Sequence, residues 1–435
     1  MLKESAACHK VGAVDIDALL GEKLCPACGK VHTCNMQRVV IKRGALLELT
    51  SLCEGYQHVT LVCDENTYRV CGQQVERLLS DKIDRKLVFA GDRLVVPNED
   101  AISALEAHLH SETDLIIGVG SGVINDLAKH VSFSRGLPYY IVATAPSMDG
   151  YASKGAAMIL GGMKVTTNCA VPRAIIADTA VLKDAPLEML KAGYGDIIGK
   201  YSCLNDWRLS ALVNGESLCQ YIYDLTFDTV ERIAKLGKEI VARDEEAISA
   251  LMQGLVIVGI AMAYMGNSRP ASGSEHHLSH YFEIVGLLRD EPYFCHGTDV
   301  AFSTYETAKL RKALIEKAKP ARRAFSEADW EANLRRVYAG KSDLKTAEGI
   351  IAMQKKLGWI YEDKFDVYFS RWQEITEILA SSPSPDKVKE MLDGVGLSLD
   401  EFYALYSAEK IEDALHYAKD LKDRYSVLWL YEQVM

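Results

Sequence analysis

At 435 residues, with 49% hydrophobic and 25% charged residues, the chain has an ordinary globular composition and enough length for two separate cores. Its formal net charge of -11 argues against a phosphate-backbone-binding surface, so no nucleic-acid partner is expected. The opening MLKESAACHKVGAVD lacks an apolar signal-type run, and 11 cysteines with no pairing framework suit free thiols in a reducing cytoplasm.

The segment 1–36 is cysteine-rich. CPACGKVHTC places Cys25-x-x-Cys28 before His32 and Cys34, with Cys8–His9 upstream. These are zinc-ligand types at short spacing, but the second CxxC pair of a zinc ribbon is missing. A β-turn at Gly29 bearing free thiols accounts for the same residues.

From Gln37 to Leu182, short β-rich runs alternate with helical patterns. VVIKRG, HVTLVCD, LVFAGD, DLIIGVG, YYIVATA and AIIAD predict strands; NTYRVCGQQVERLLSD, NEDAISALEAHLHSE and GVINDLAKHVSFSRG predict the helices between them. Near-continuous apolar strands separated by single helices imply a parallel sheet covered on both faces. After Pro186 the strand signals stop, and helices follow, broken at Asn267–Pro270, Pro292, Pro320 and Ser381–Pro385. The expected architecture is an α/β nucleotide-binding domain over 1–184 and an all-α domain over 185–435, with a site in the cleft between them. Leu251–Met265 is the most apolar stretch; it is short for a bilayer and contains Gln253, so it is expected to be a core helix rather than a membrane span.

Three strand-to-helix junctions carry polar chemistry. DLIIGVGSGVINDLAK runs from strand through Gly118, Gly120 and Gly122 into a helix, whose N-terminal N–H groups and dipole suit a phosphate. Its spacing matches neither G-x-G-x-x-G nor a P-loop, and a tight capped turn explains it equally well. Asp64 ends HVTLVCD, where a carboxylate either accepts from ribose hydroxyls or caps the next helix. YYIVATAPSMDGYAS ends in a small-residue loop with Thr144, Ser147, Asp149 and Ser153.

Four histidines lie between 276 and 296, in SEHHLSH and FCHGTDV. On a helix His276 and His280 share a face while His277 points elsewhere, and His296 returns after the turn marked by Pro292. Asp196, in KAGYGDIIGKYSC, is the best carboxylate to complete a catalytic metal set, or it caps the start of an apolar helix. The HxxxH of this stretch is not H-E-x-x-H, because His277 and Leu278 stand where the general-base glutamate would follow a histidine, which disfavours a zinc peptidase.

GSGVINDLAK, TAPSMDG, GYGDIIGK, SGSEHHLSH and CHGTDVA, in this order, resemble the sn-glycerol-1-phosphate dehydrogenases, within the superfamily of iron-containing alcohol dehydrogenases and dehydroquinate synthase. The likeness runs from about residue 37 to DRYSVLWL at the end. It implies a dehydroquinate synthase-like fold, and one divalent metal (Zn, Ni or Fe) held by Asp196, His276 and His296. It implies substrate contacts from Asp149, Asp196 and His280. NAD(P) would be bound by Asp64, by Gly122, Val123, Ile124, Asn125 and Asp126, by Thr144, Ala145, Pro146 and Ser147, and by Ser153. The implied reaction is reversible reduction of dihydroxyacetone phosphate to sn-glycerol 1-phosphate by a cytoplasmic homo-oligomer. GVGSG departs from the three adjacent glycines of many relatives, and the cysteine segment is outside the core pattern. Other readings of the same residues are a glycerol or polyol dehydrogenase, a dehydroquinate synthase-like lyase (weakened by Asp196, where those enzymes have glutamate), and a non-catalytic metal- or nucleotide-binding protein.

Overall fold

The computed structural model describes residues 14–161, 163–341 and 343–434, so Cys8–His9 lies outside the described residues. A hairpin of β1 (Gly21–Leu24) and β2 (Val31–Cys34) precedes a six-stranded sheet. The sheet is built from β3 (Arg38–Lys42), β4 (Val59–Asp64), β5 (Ile83–Phe89), β6 (Leu115–Gly120), β7 (Tyr139–Ala143) and β10 (Ala174–Asp178). A second hairpin, β8 (Gly155–Leu160) with β9 (Met163–Asn168), interrupts it before β10. The sheet order is β3-β10-β7-β6-β4-β5, and every pairing in it is parallel.

All six expected strands are present, and the reason is burial. Every residue of β6, β7 and β10 is buried, which demands the unbroken apolar runs that made them readable. The edge strand β5 begins four residues before its apolar part, because Asp84, Arg85 and Lys86 face solvent and blunt the edge. The β8–β9 hairpin was not expected; its β9 strand, MKVTTN, is too polar to announce itself.

From Leu187 onward the described residues form helices only. Past its acidic first turn, the helix Glu245–Met265 is strongly apolar because it is a core element: 83% of its most apolar window is buried inside the fold. It passes under the loop at 149–152, where a Cβ on Gly259 would lie 2.9 Å from the Asp149 carbonyl oxygen. That absent side chain lets the loop rest directly on the helix.

Successive connections from β4 and β6 run in opposite directions across the sheet, with β5 on one side and β7 on the other. The carboxyl ends of β4 and β6 therefore flank a switch point, where parallel sheets leave a ligand crevice. Asp64 ends β4 and Gly120 ends β6.

Candidate metal and cofactor site

Gly120 has no room for a side chain, since a Cβ there would lie 2.6 Å from that of Ile124 in the following helix, Gly122–Arg135. This tight junction brings the helix N-terminus to the crevice, where the first N–H groups have no intrahelical acceptor. Gly122 and Val123 are partly accessible there, whereas Ile124 and Asn125 are buried. Asn125 leaves its Oδ1 buried with no protein partner, an acceptor available to a bound group.

Asp126 faces another way. It accepts the Ala157 N–H at 3.0 Å, and Lys129 beside it donates to the Gly150 and Gly155 carbonyls, both at 2.8 Å. Ser153 bonds the same two carbonyls at 3.1 Å. These side chains anchor the loop that also carries Thr144, Ala145, Pro146 and Ser147. The Thr144 N–H reaches the Gly120 carbonyl at 3.1 Å, so that loop starts beside the glycine turn. Asp64 is a helix N-cap, accepting from the Asn66 and Thr67 N–H groups at 2.8 and 2.9 Å through Oδ1. Its Oδ2 takes no part in that cap.

The second half of the site rests on glycine-mediated helix contacts. Asp196 lies in the last turn of Leu187–Ile198, not at a helix start, which removes the capping reading. A Cβ on Gly195 would lie 2.3 Å from the Gly297 carbonyl oxygen, and one on Gly297 would lie 2.0 Å from that of Ala192. This close crossing of Leu187–Ile198 with His296–Ile315 sets Asp196 against His296 at the start of the second helix. His276 comes from Ser274–Arg289, whose first N–H donates to buried Asp206 at 2.7 Å. Ligand atoms of Asp196, His276 and His296 all lie within 4.8 Å of one another.

The protonation of Asp196 and His296 suits a divalent cation. His276 directs Nδ1 to Glu275 Oε1 at 2.7 Å, turning Nε2 towards Asp196 at 3.5 Å. Burial works to raise the Asp196 carboxyl, but Lys200, His276 and His296 outweigh it and hold it well below the usual range. Burial depresses the His296 and His280 imidazoles, keeping both neutral. Ionised carboxylate and neutral imidazoles are the forms metal binding requires. His280 sits next to the set, its ring 6.0 Å from that of His276 and 5.5 Å from that of His296. His277 is buried on the other face, as the helical spacing predicts.

Asp149 joins the two halves: its N–H donates to Asp196 Oδ2 at 2.9 Å. The sequence reading passed over Lys200, which is fully buried between two carboxylates, 2.6 Å from Asp149 and 2.7 Å from Asp196. Burial alone would depress the ammonium, but the two carboxylates override it and keep it charged. Burial and the neighbouring Asp196 raise the Asp149 carboxyl, with Lys200 restraining the rise. The four-residue spacing of Asp196 and Lys200 in GDIIGK puts the two on one helical face but carries no information on their burial. Glu275, which orients His276, was also missed.

A cationic group lies beyond the histidines. Lys422 donates to Ser272 Oγ at 3.3 Å, and Arg424 to the Ser272 carbonyl at 2.6 Å. Burial, with Arg424 and Lys164 nearby, pushes Lys422 down to about 7.

A family model described as iron-containing alcohol dehydrogenase matches residues 40–186. A glycerol-1-phosphate dehydrogenase [NAD(P)+] of Halalkalibacterium halodurans is 36% identical, over 66% of this chain and 73% of its own length. The chain belongs to this glycerol-1-phosphate dehydrogenase family. Its relative from Geobacillus stearothermophilus, 29% identical, is covered over 95% of its length by 94% of this chain. Among solved structures, sulfoacetaldehyde reductase from Bifidobacterium kashiwanohense in complex with NAD+ superposes with a TM-score of 0.58 at 13% identity, covering 91% of this chain and 93% of that one. An archaeal Red Sea brine pool alcohol dehydrogenase also gives 0.58, at 14% identity over 88% and 91%. At such identities these two likenesses speak for the fold, and the membership rests on the glycerol-1-phosphate dehydrogenases.

Two cysteine-segment expectations divide. Cys25, Cys28 and His32 do come together, but Cys34 does not join them; Cys219, from the helical half, does. Side chains on one face of a strand stand about 7 Å apart at i and i+2, so Cys34 follows His32 into the core instead of meeting the same point. Cys34 is fully buried there.

Proposed function

We propose that this chain reduces dihydroxyacetone phosphate to sn-glycerol 1-phosphate with NAD(P)H, using residues of an α/β half (1–184) and a helical half (185–435). The observation that carries the site assignment is the Asp196–His276–His296 set, tied through the Asp149 N–H to the loops of the sheet's switch point. When bound, a divalent ion at that set polarises the substrate ketone, and the nicotinamide supplies hydride. The chain's residues position and neutralise. Asp64 and the Gly122–Asn125 turn take the ribose and pyrophosphate ends of the cofactor, with Thr144–Ser147 beside them. Lys200 offsets the charge of Asp149 and Asp196, so both carboxylates can face a small polar substrate without repelling each other. His280, neutral at pH 7, orients the substrate's primary hydroxyl.

Lys422 and Arg424 suit the substrate phosphate: burial, with Arg424 and Lys164 adding to it, depresses Lys422, and a dianion beside the two cations would favour its charged form. None of the ten cysteines among the described residues is paired in a disulfide, which fits a reducing compartment. The test is a reductase assay of purified protein with dihydroxyacetone phosphate and with dihydroxyacetone. The phosphate ester should have much the higher kcat/KM, and Lys422→Met should remove about ten- to a hundredfold of that advantage by deleting a charged hydrogen bond. Equal kcat/KM for the two substrates would move the assignment to a polyol dehydrogenase. A product consumed by an sn-glycerol-3-phosphate-specific dehydrogenase would overturn the stereochemistry.

A further inference from the structure

A second cluster, of different chemistry from the Asp196 set, forms where the N-terminal hairpin meets the helical half. Cys25 and Cys28 bracket the turn that joins β1 to β2, closed by Cys25 N–H to Lys30 O at 2.9 Å and Gly29 N–H to Cys25 O at 2.8 Å. Gly29 holds φ at +69°, which places a glycine directly after the second cysteine. His32 follows on β2, and Cys219 is the residue preceding the helix Gln220–Ile233.

The donor atoms converge. Cys25 Sγ lies 3.6 Å from Cys219 Sγ, while His32 Nε2 lies 3.4 Å from Cys28 Sγ and 3.5 Å from Cys219 Sγ. All four donor atoms lie within 4.8 Å of one another. A tetrahedral zinc ion with Zn–S of about 2.3 Å and Zn–N of about 2.0 Å requires S···S near ~3.8 Å and S···N near ~3.5 Å. The three edges at 3.4–3.6 Å match those lengths, and a sulfur pair at 3.6 Å is far outside a disulfide bond of about 2.05 Å. Cys25, His32 and Cys219 are buried, and Tyr264 stacks on the His32 ring at 5.4 Å.

We propose that Cys25, Cys28, His32 and Cys219 bind a structural zinc ion that staples the N-terminal hairpin to the helical half. Four protein ligands, three of them thiolates, close the coordination shell and leave no position for substrate, so this ion takes no part in turnover. Its partners are 194 residues apart at the widest, from Cys25 to Cys219, so it closes a large loop of the chain.

The test uses full-length protein purified from zinc-supplemented culture without chelator. Titration of the native protein with a mercurial should release one zinc as its cysteines are modified, read with a colorimetric zinc indicator. Cobalt replacement should give the intense near-ultraviolet thiolate-to-cobalt bands of a three-thiolate site. Cys28→Ser and Cys219→Ser should lose those bands and one bound ion, with reductase activity kept at moderate temperature and the unfolding temperature lowered. His296→Ala should keep the bands. If the variants fold poorly, the wild-type mercurial titration decides. Zinc release unconnected to thiol modification, or a Cys25–Cys219 disulfide in the intact-mass spectrum, overturns the proposal.

Discussion

The two ligand clusters of this molecule are built alike and suited to opposite work. Each gathers donors far apart in the chain: Asp196 joins His276 and His296 from two other helices, and Cys219, just before a helix, joins Cys25, Cys28 and His32 of the N-terminal hairpin region. The first proposed set offers three donors, one of them a carboxylate, with the His280 ring beside His296 and Lys200 bridging Asp196 and Asp149. The second has four, mostly soft, and is enclosed by a hairpin and Tyr264. Ligand number and surroundings, more than ligand identity, separate a centre that can take a substrate from one that can only hold the fold.

The largest effect that tests this contrast comes from the open centre. His296→Ala should lower kcat by about a thousandfold or more, since it weakens the group that stabilises charge developing on the substrate oxygen. Its own metal should be lost while far-UV circular dichroism stays unchanged. Cys28→Ser, in contrast, should leave kcat close to wild type. If His296→Ala retains both ion and turnover, the assignment of the catalytic set is wrong.

Much of the open centre was readable because its parts sit in distinctive local strings, GYGD, SEHHLSH and FCHG, each at a helix end or on one helix face. What escaped was whatever depended on packing. Nothing in GDIIGK says that Lys200 is buried without a trace of solvent exposure between two carboxylates, and nothing in SEHH says that Glu275 turns inward to hold His276. For the closed centre, CPACGKVH was visible, but the fourth ligand was sought nearby in Cys34, whereas the fold supplies it from Cys219. The sheet shows the same division: the buried strands β6, β7 and β10 were evident from apolar runs, and the polar hairpin strand β9 was not.

Lys200 gives the next largest effect. Removing one partner of a buried charge group leaves an uncompensated charge and costs about 3–5 kcal/mol. Lys200→Met should therefore lower the unfolding temperature strongly in metal-free protein, and less when the metal set is loaded, because a divalent ion then shares the charge of Asp196. Adding Asp149→Asn should recover part of the loss. Equal destabilisation with and without metal would show that Lys200 answers to packing and not to the carboxylates.

Acid should separate the two centres by a smaller margin. Burial leads the shift of His296, with His276, Lys164 and Lys200 adding to it against Asp196, and the result is a pKa below the ordinary histidine value of about 6.5. The sign follows directly: a depressed pKa keeps the neutral, metal-binding form as pH falls, and affinity is lost only as pH drops through the lowered value. Metal content measured after dialysis across pH should hold at pH 6.5 and decline below it. A decline centred at or above that point would mean that burial does not control His296.

The smallest expected effect concerns Asp64, whose two oxygens are assigned different tasks. Oδ1 caps the helix that follows β4, accepting two backbone N–H groups, and Oδ2 is assigned to the adenosine ribose. Glycine is the informative replacement, because changing an N-cap residue to glycine costs only a few tenths of a kcal/mol, whereas alanine costs about 1. Asp64→Gly should thus leave the unfolding temperature nearly unchanged and remove the carboxylate that favours a 2′-hydroxyl and repels a 2′-phosphate. The ratio of kcat/KM with NADH to that with NADPH should fall, by roughly three- to tenfold for a partly exposed charged hydrogen bond. Asp64→Asn keeps the cap and the hydrogen-bonding shape but removes the charge, so it should relieve the repulsion of NADPH while retaining more of the NADH affinity. A ratio unmoved by both changes would leave Asp64 as a cap and nothing more.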